Sequence, residues 1–267
     1  MKFPKKPALY CTVLAILAMA GWTLAASAAE PPAAPKVSTF APAKDLERQL
    51  EVYLERFEEA VKDEEEYKAA EGRLAKEANT MVLIALGLGL HDQPNKYQAA
   101  APAIIKAAQQ LADAKGYASA KAGVAAVKKA LESQGGSSSL KWEKLASLEQ
   151  LMKAVPTIDS RLRRNVRTER NFKKRAQDNA GDSAVLAVIA QGSIADTSEA
   201  KDPAQIAQWY KFCEQMRDAA AKVNSLVHAG KFDEIKAAMK DLEKSCHDCH
   251  EVFHKEALEK VGKEEEE

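Results

Sequence analysis

Apolar residues in this chain recur at helical spacing, and no stretch alternates as a strand would. Ile158, Leu162 and Val166 repeat every four residues and lay one apolar face along a helix. Val124, Val127 and Leu131 do the same, as do Ile235, Met239 and Leu242. Two runs, Met81 to Leu86 and Ala184 to Ala190, are apolar on every side, the pattern of helices buried all round. In the second half of the chain this predicts a first helix over about 141–178, bent at Pro156. A second helix starts near Asp182 as N-cap, and a third opens at Asp202-Pro203 and stops at Gly230. The fourth runs over about 232–258. Four helices with short connections predict an antiparallel bundle in an all-α protein.

The first half carries a related pattern. One constant offset aligns Tyr117 with Phe232, Ala120 with Ile235, Val124 with Met239 and Leu131 with Cys246. The run from Met81 similarly resembles the run from Ala184. We read a duplicated helical unit, the first copy over 44–134 and the second over 140–263, joined by a Gly/Ser linker at 135–139. Residues 29–43, with Pro31, Pro32, Pro35 and Pro42, read as an extended tether, and 264–267 as an acidic, solvated tail.

Composition agrees with an all-helical exported protein. Lys plus Arg and Asp plus Glu both number 39, which argues against nucleic acid as a partner. The charges are nevertheless unevenly placed. Arg161, Arg163, Arg164, Arg167, Arg170, Lys173, Lys174 and Arg175 form a basic patch, which reads as a docking surface for an acidic partner. It reads equally as a counterpart to Glu58, Glu59, Asp63, Glu64, Glu65 and Glu66 in the first unit.

The sharpest chemical signal is Cys246-His247-Asp248-Cys249-His250, a Cys-x-x-Cys-His run that marks covalent attachment of a c-type haem. On a helix, residues three apart share a face, so both thiols reach one edge of a porphyrin while His250 reaches its iron. The N-terminus points to the compartment where such attachment occurs. Lys2, Lys5 and Lys6, the apolar stretch from Ala8 and the Ala26-Ser27-Ala28 site read as a signal peptide over 1–28. The expected location is the periplasm, with an uncleaved N-terminal membrane anchor as the alternative. Cys11 lies within the signal, and Cys213 is left unpaired, so a disulfide scaffold is not expected.

A bundle with Cys-x-x-Cys-His on its last helix, followed by Phe253 three residues after His250, resembles the cytochrome c′ family over about 140–260. The resemblance implies one haem c per chain, held by thioether bonds from Cys246 and Cys249 with His250 as proximal ligand. Phe253 would pack on the haem. It also implies a distal position faced by the first bundle helix, and a homodimer formed through the first two bundle helices. The chain departs from the family at His254, where arginine or lysine is usual.

The distal side stays open. Met152 is the candidate sixth ligand, which would suit electron transfer; Leu148 or Leu151 facing the iron would leave a vacancy for a small gas such as nitric oxide. Met216 is a weaker candidate. His91, His228 and His247 read as structural or solvent-facing. Rival readings of the pentad are a zinc site from Cys246, Cys249, His250 and His254, and a dithiol switch. No hydrolytic constellation is visible, so the expected function is electron transfer with periplasmic redox proteins as partners, rather than an enzyme. Nitric-oxide binding is the alternative.

Overall fold

The structure, a computed structural model, describes residues 29–133 and 139–256. The expected signal segment, most of the Gly/Ser linker and the acidic tail lie outside the described residues. Within them the chain is all-α and contains no strand. No described helix is long and apolar enough to cross a membrane.

The first unit holds α1 (Ala43–Ala60), α2 (Glu64–Gly89), α3 (Ala101–Ala112) and α4 (Tyr117–Leu131). Leu46, Leu50, Tyr53 and Phe57 make the inner face of α1. Asp63 caps α2 by accepting from the backbone N–H groups of Glu65 and Glu66, and the acidic first turn favours the positive end of the helix dipole. Gly116, at φ +78°, turns the chain into α4, a conformation that side chains with a Cβ resist. These four helices close a ring in which α1 touches α2 and α4, and α3 lies between α2 and α4.

The second unit holds α5 (Leu148–Asn165), α6 (Glu169–Lys174), α7 (Ala176–Ser193), α8 (Pro203–His228) and α9 (Phe232–Phe253). Here α5 packs on α7, α7 on α8 and α8 on α9. The start of α9 at Phe232 and of α4 at Tyr117 are the two positions that the internal offset aligns. Asp202 caps α8 by accepting from Gln205 N–H, with Pro203 in the first turn, and Gly230 at φ +66° follows its end, as the sequence predicts.

The two units meet along α2 and α7, with α1 on α7 and α5 on α2. The contact therefore has an approximate two-fold character, each unit offering its first long helix to the other's second. Close approach depends on small residues: a Cβ on Gly192 of α7 would lie 2.8 Å from both methyls of Leu83 on α2. Polar contacts add to this seam. Asp45 of α1 accepts from Asn224 and lies against the imidazole of His228, both on α8 and both at 2.8 Å.

Two expectations about helix ends are corrected. The helix over 141–178 is broken: Ser147 caps α5, the chain leaves it after Asn165, and Thr168 caps the short α6. Pro156 lies inside α5, where the sequence places it. Asp182 is no N-cap; it is buried in α7 and takes two hydrogen bonds from Arg161, at 2.7 and 2.5 Å. Burial drives its carboxyl upward and the guanidinium draws it back.

Among the described residues, no ion pair joins the basic patch to the acidic run. Arg163 pairs with Asp159 and Glu243, Lys173 with Glu169 and Arg175 with Asp178. Among the described residues, Glu58 pairs with Lys128 and Glu59 with Lys62, inside the first unit. Residues 29–43 are not free. Val37, Phe40 and Ala41 are buried, and the Phe40 ring lies 5.9 Å from the Arg217 guanidinium of α8.

Candidate functional site

The pentad lies within α9, so Cys246 and Cys249 stand one turn apart on a regular helix. Ile235, Ala238, Met239 and Leu242 are the buried residues that fix which face of α9 turns inward. Cys246 continues that stripe and packs against the large core shared by both units. Cys249 and Phe253 pack instead into a separate apolar cluster at the end of the second unit.

That cluster is built from Leu148 of α5, Ile194 just past α7, and Trp209, Tyr210 and Cys213 of α8. Phe253 stands edge-on to Trp209, with ring centres 5.3 Å apart, and to Phe212 at 6.2 Å. Trp209 donates its indole N–H to the Ser193 carbonyl at 2.9 Å, so its only polar atom is satisfied within the apolar wall. Met152 is half-buried and touches both the cluster and the main core. Leu148 lies in the cluster, whereas Leu151 and Met216 belong to the main core. The α5 face carrying Met152 and Leu148 is thus brought beside Cys249 and Phe253. The structure takes Leu151 and Met216 away from that cluster.

Electrostatics at the site follow from burial. Water is stripped from His250, and the neighbouring His254 and His247 add repulsion, so its pKa falls below the ordinary histidine value. A neutral imidazole with a free lone pair is the form that binds a metal. Burial pushes the Cys246 thiol up to about 11 and the Cys249 thiol to about 12. The Cys213 thiol is raised too, by burial and then by Cys249. Both pentad cysteines are free thiols.

The remaining histidines fall elsewhere. His91 is buried between the Ala41 carbonyl, 3.1 Å from its Nε2, and the Gln93 N–H, which donates to its Nδ1; this pairing fixes the proton on Nε2. His228 meets Asp45, a contact that helix-end reasoning alone does not reveal. His254 is exposed, its ring 6.2 Å from that of His250. Among the described residues, Cys246, Cys249, His250 and His254 do not bring three ligand atoms together; the set that does is His247, Asp248 and Glu251, on the outer side of α9. The zinc reading of the pentad loses its geometric support.

Trp209, Tyr210 and Cys213 were not singled out from the sequence as site residues. Their signal was present: Ile206, Trp209, Tyr210 and Cys213 recur at three- and four-residue spacing. What the pattern could not supply was that this stripe faces Cys249. No protein-family model, curated protein or solved structure matches this chain.

Proposed function

We propose that this chain is an exported monohaem c-type cytochrome of cytochrome c′-like architecture that carries electrons. The single observation that carries this reading is the coincidence on α9 of two thiols one turn apart and a half-buried histidine, with an aromatic-walled apolar cluster beside Cys249. The second unit is read as an antiparallel four-helix bundle of α5, α7, α8 and α9, and the first as its haem-free copy. In that copy Leu131 stands where Cys246 stands in the second.

The donor set fits a haem. Cys246 and Cys249 would each add S–H across a vinyl group, a step that conserves atoms and electrons and needs reduced thiols. His250 would offer its lone pair to the iron, and burial would keep that nitrogen unprotonated at neutral pH. Leu148, Trp209 and Phe253 would exclude water from the edge nearest Cys249. When bound, the haem supplies a one-electron ferric–ferrous couple. Met152 is the candidate sixth ligand, placed by α5 against the same cluster.

A second reading, binding of nitric oxide at a five-coordinate iron, is favoured by one observation. Leu148, which cannot ligate, is the more deeply buried α5 residue in the cluster. Expression with export in cells competent for haem maturation, followed by spectra in both oxidation states, tests both. A Soret band that survives denaturation and disappears in Cys246→Ala/Cys249→Ala is expected. Its absence overturns the haem reading. Low-spin iron indifferent to nitric oxide and converted to high-spin by Met152→Leu supports the carrier. High-spin iron that responds to nitric oxide supports the gas-binding alternative.

A further inference from the structure

The segment ahead of α1 reaches the candidate site at Ala29. Tyr210 donates its hydroxyl to the Ala29 carbonyl at 3.2 Å, joining residues remote in sequence. Ala29 packs against the same apolar cluster that takes in Cys249, Phe253 and Cys213. The other end of the segment is firmly held: Val37, Phe40 and Ala41 are buried, and the Asp92 carboxylate accepts both the N–H and the hydroxyl of Ser38, at 2.9 and 2.6 Å. Between these anchors lie Pro31, Pro32 and Pro35, with no helix from Ala29 to Lys36. Proline limits the conformations of an undocked segment, so docking costs less entropy than for an ordinary chain.

We propose that residues 29–36 are a strap that closes the apolar cluster over Cys249, with Tyr210 as its latch. The strap restricts access to this end of the site while the main core restricts access to Cys246. A group entering beside Cys249 must lift the strap, and once seated it is shielded by it. The role toward haem rests on the function proposed above, but the strap itself is a property of the chain without haem and is testable there.

The three thiols report on it separately, because Cys249 and Cys213 lie in the strapped cluster and Cys246 against the main core. The test is alkylation of the haem-free chain by iodoacetamide, followed at each cysteine by mass spectrometry. Two variants are compared with the parent: Tyr210→Phe, which removes only the latch hydroxyl, and Pro31→Gly/Pro32→Gly, which loosens the strap without touching the cluster. In both, labelling of Cys249 and Cys213 is expected to rise several-fold while Cys246 stays within a factor of two. Unchanged rates at Cys249 in both variants, or an equal rise at all three cysteines, overturn the strap. Covalent haem in the exported parent chain is scored independently by its spectrum. A haem-free product with the site-selective labelling pattern would sink the cytochrome reading and leave the strap standing.

Discussion

Burial acts on the two chemistries of α9 in opposite senses. It lowers the pKa of His250, leaving a neutral donor, and raises those of Cys246 and Cys249, leaving protonated thiols. The chain therefore presents a neutral imidazole without presenting reactive thiolates. Because the thiolate is the nucleophile, alkylation of native Cys246 should rise about tenfold per pH unit from 8 to 10, with no plateau. The unfolded chain should level off near pH 9, where ordinary thiols titrate. Site-resolved labelling across that range checks this; a native plateau below pH 9 would show the thiols to be exposed. Asp92 has the opposite sign. The Ser38 hydroxyl and backbone N–H hold its carboxyl below the ordinary carboxylate range. The stability it contributes is present above about pH 4 and is lost as pH falls through the depressed value. Asp92→Asn should thus lower the urea midpoint at pH 7, with the difference from the parent shrinking towards pH 2.

At the scale of elements, legibility followed whether a boundary is decided locally. Asp202-Pro203 and Gly230 mark the ends of α8 by capping and backbone chemistry that nearby residues complete. That Cys246, Cys249 and His250 lie on a helix was readable from the apolar stripe Ile235, Met239 and Leu242 that leads into them. Asp182 misled because its residue type suits a cap. A partner twenty-one positions away in the chain, Arg161, instead lets it lie inside α7. The break at Thr168 was masked by a run of basic residues that favours helix in isolation. Trp209 and Tyr210 were invisible as site residues because only tertiary packing turns α8 towards Cys249. The seam between α2 and α7 offers a direct check on packing at this scale. Gly192→Ala places a methyl 2.8 Å from two atoms of buried Leu83 and should cost about 1–2 kcal/mol net of the helix gain. Gly72 on exposed α2 has nothing within 4 Å of its missing Cβ, so Gly72→Ala should stabilise by about 0.5–1 kcal/mol. Urea melts of both variants decide it, and equal shifts would contradict the close α2–α7 approach.

For the whole molecule, α7 shows what the first unit contributes to the fold. Every residue of α7 from Asn179 to Ser193 is buried, because α5 and α8 cover it from its own unit and α1 and α2 from the other. Here the chain's own α1 and α2 lie against α5 and α7. The first unit is fixed there by the contacts of Asp45 with Asn224 and His228. Cutting the chain within the Gly/Ser linker should leave two pieces that stay together, because the seam rather than the linker holds them. The second unit expressed alone should bare the side of α7 that α1 and α2 cover. It should then self-associate or bind a hydrophobic dye, and adding the first unit in trans should return a one-to-one complex. Light scattering with size-exclusion chromatography distinguishes these states. A second unit that is monomeric, dye-silent and indifferent to the first would show that the shared face does not stabilise the fold.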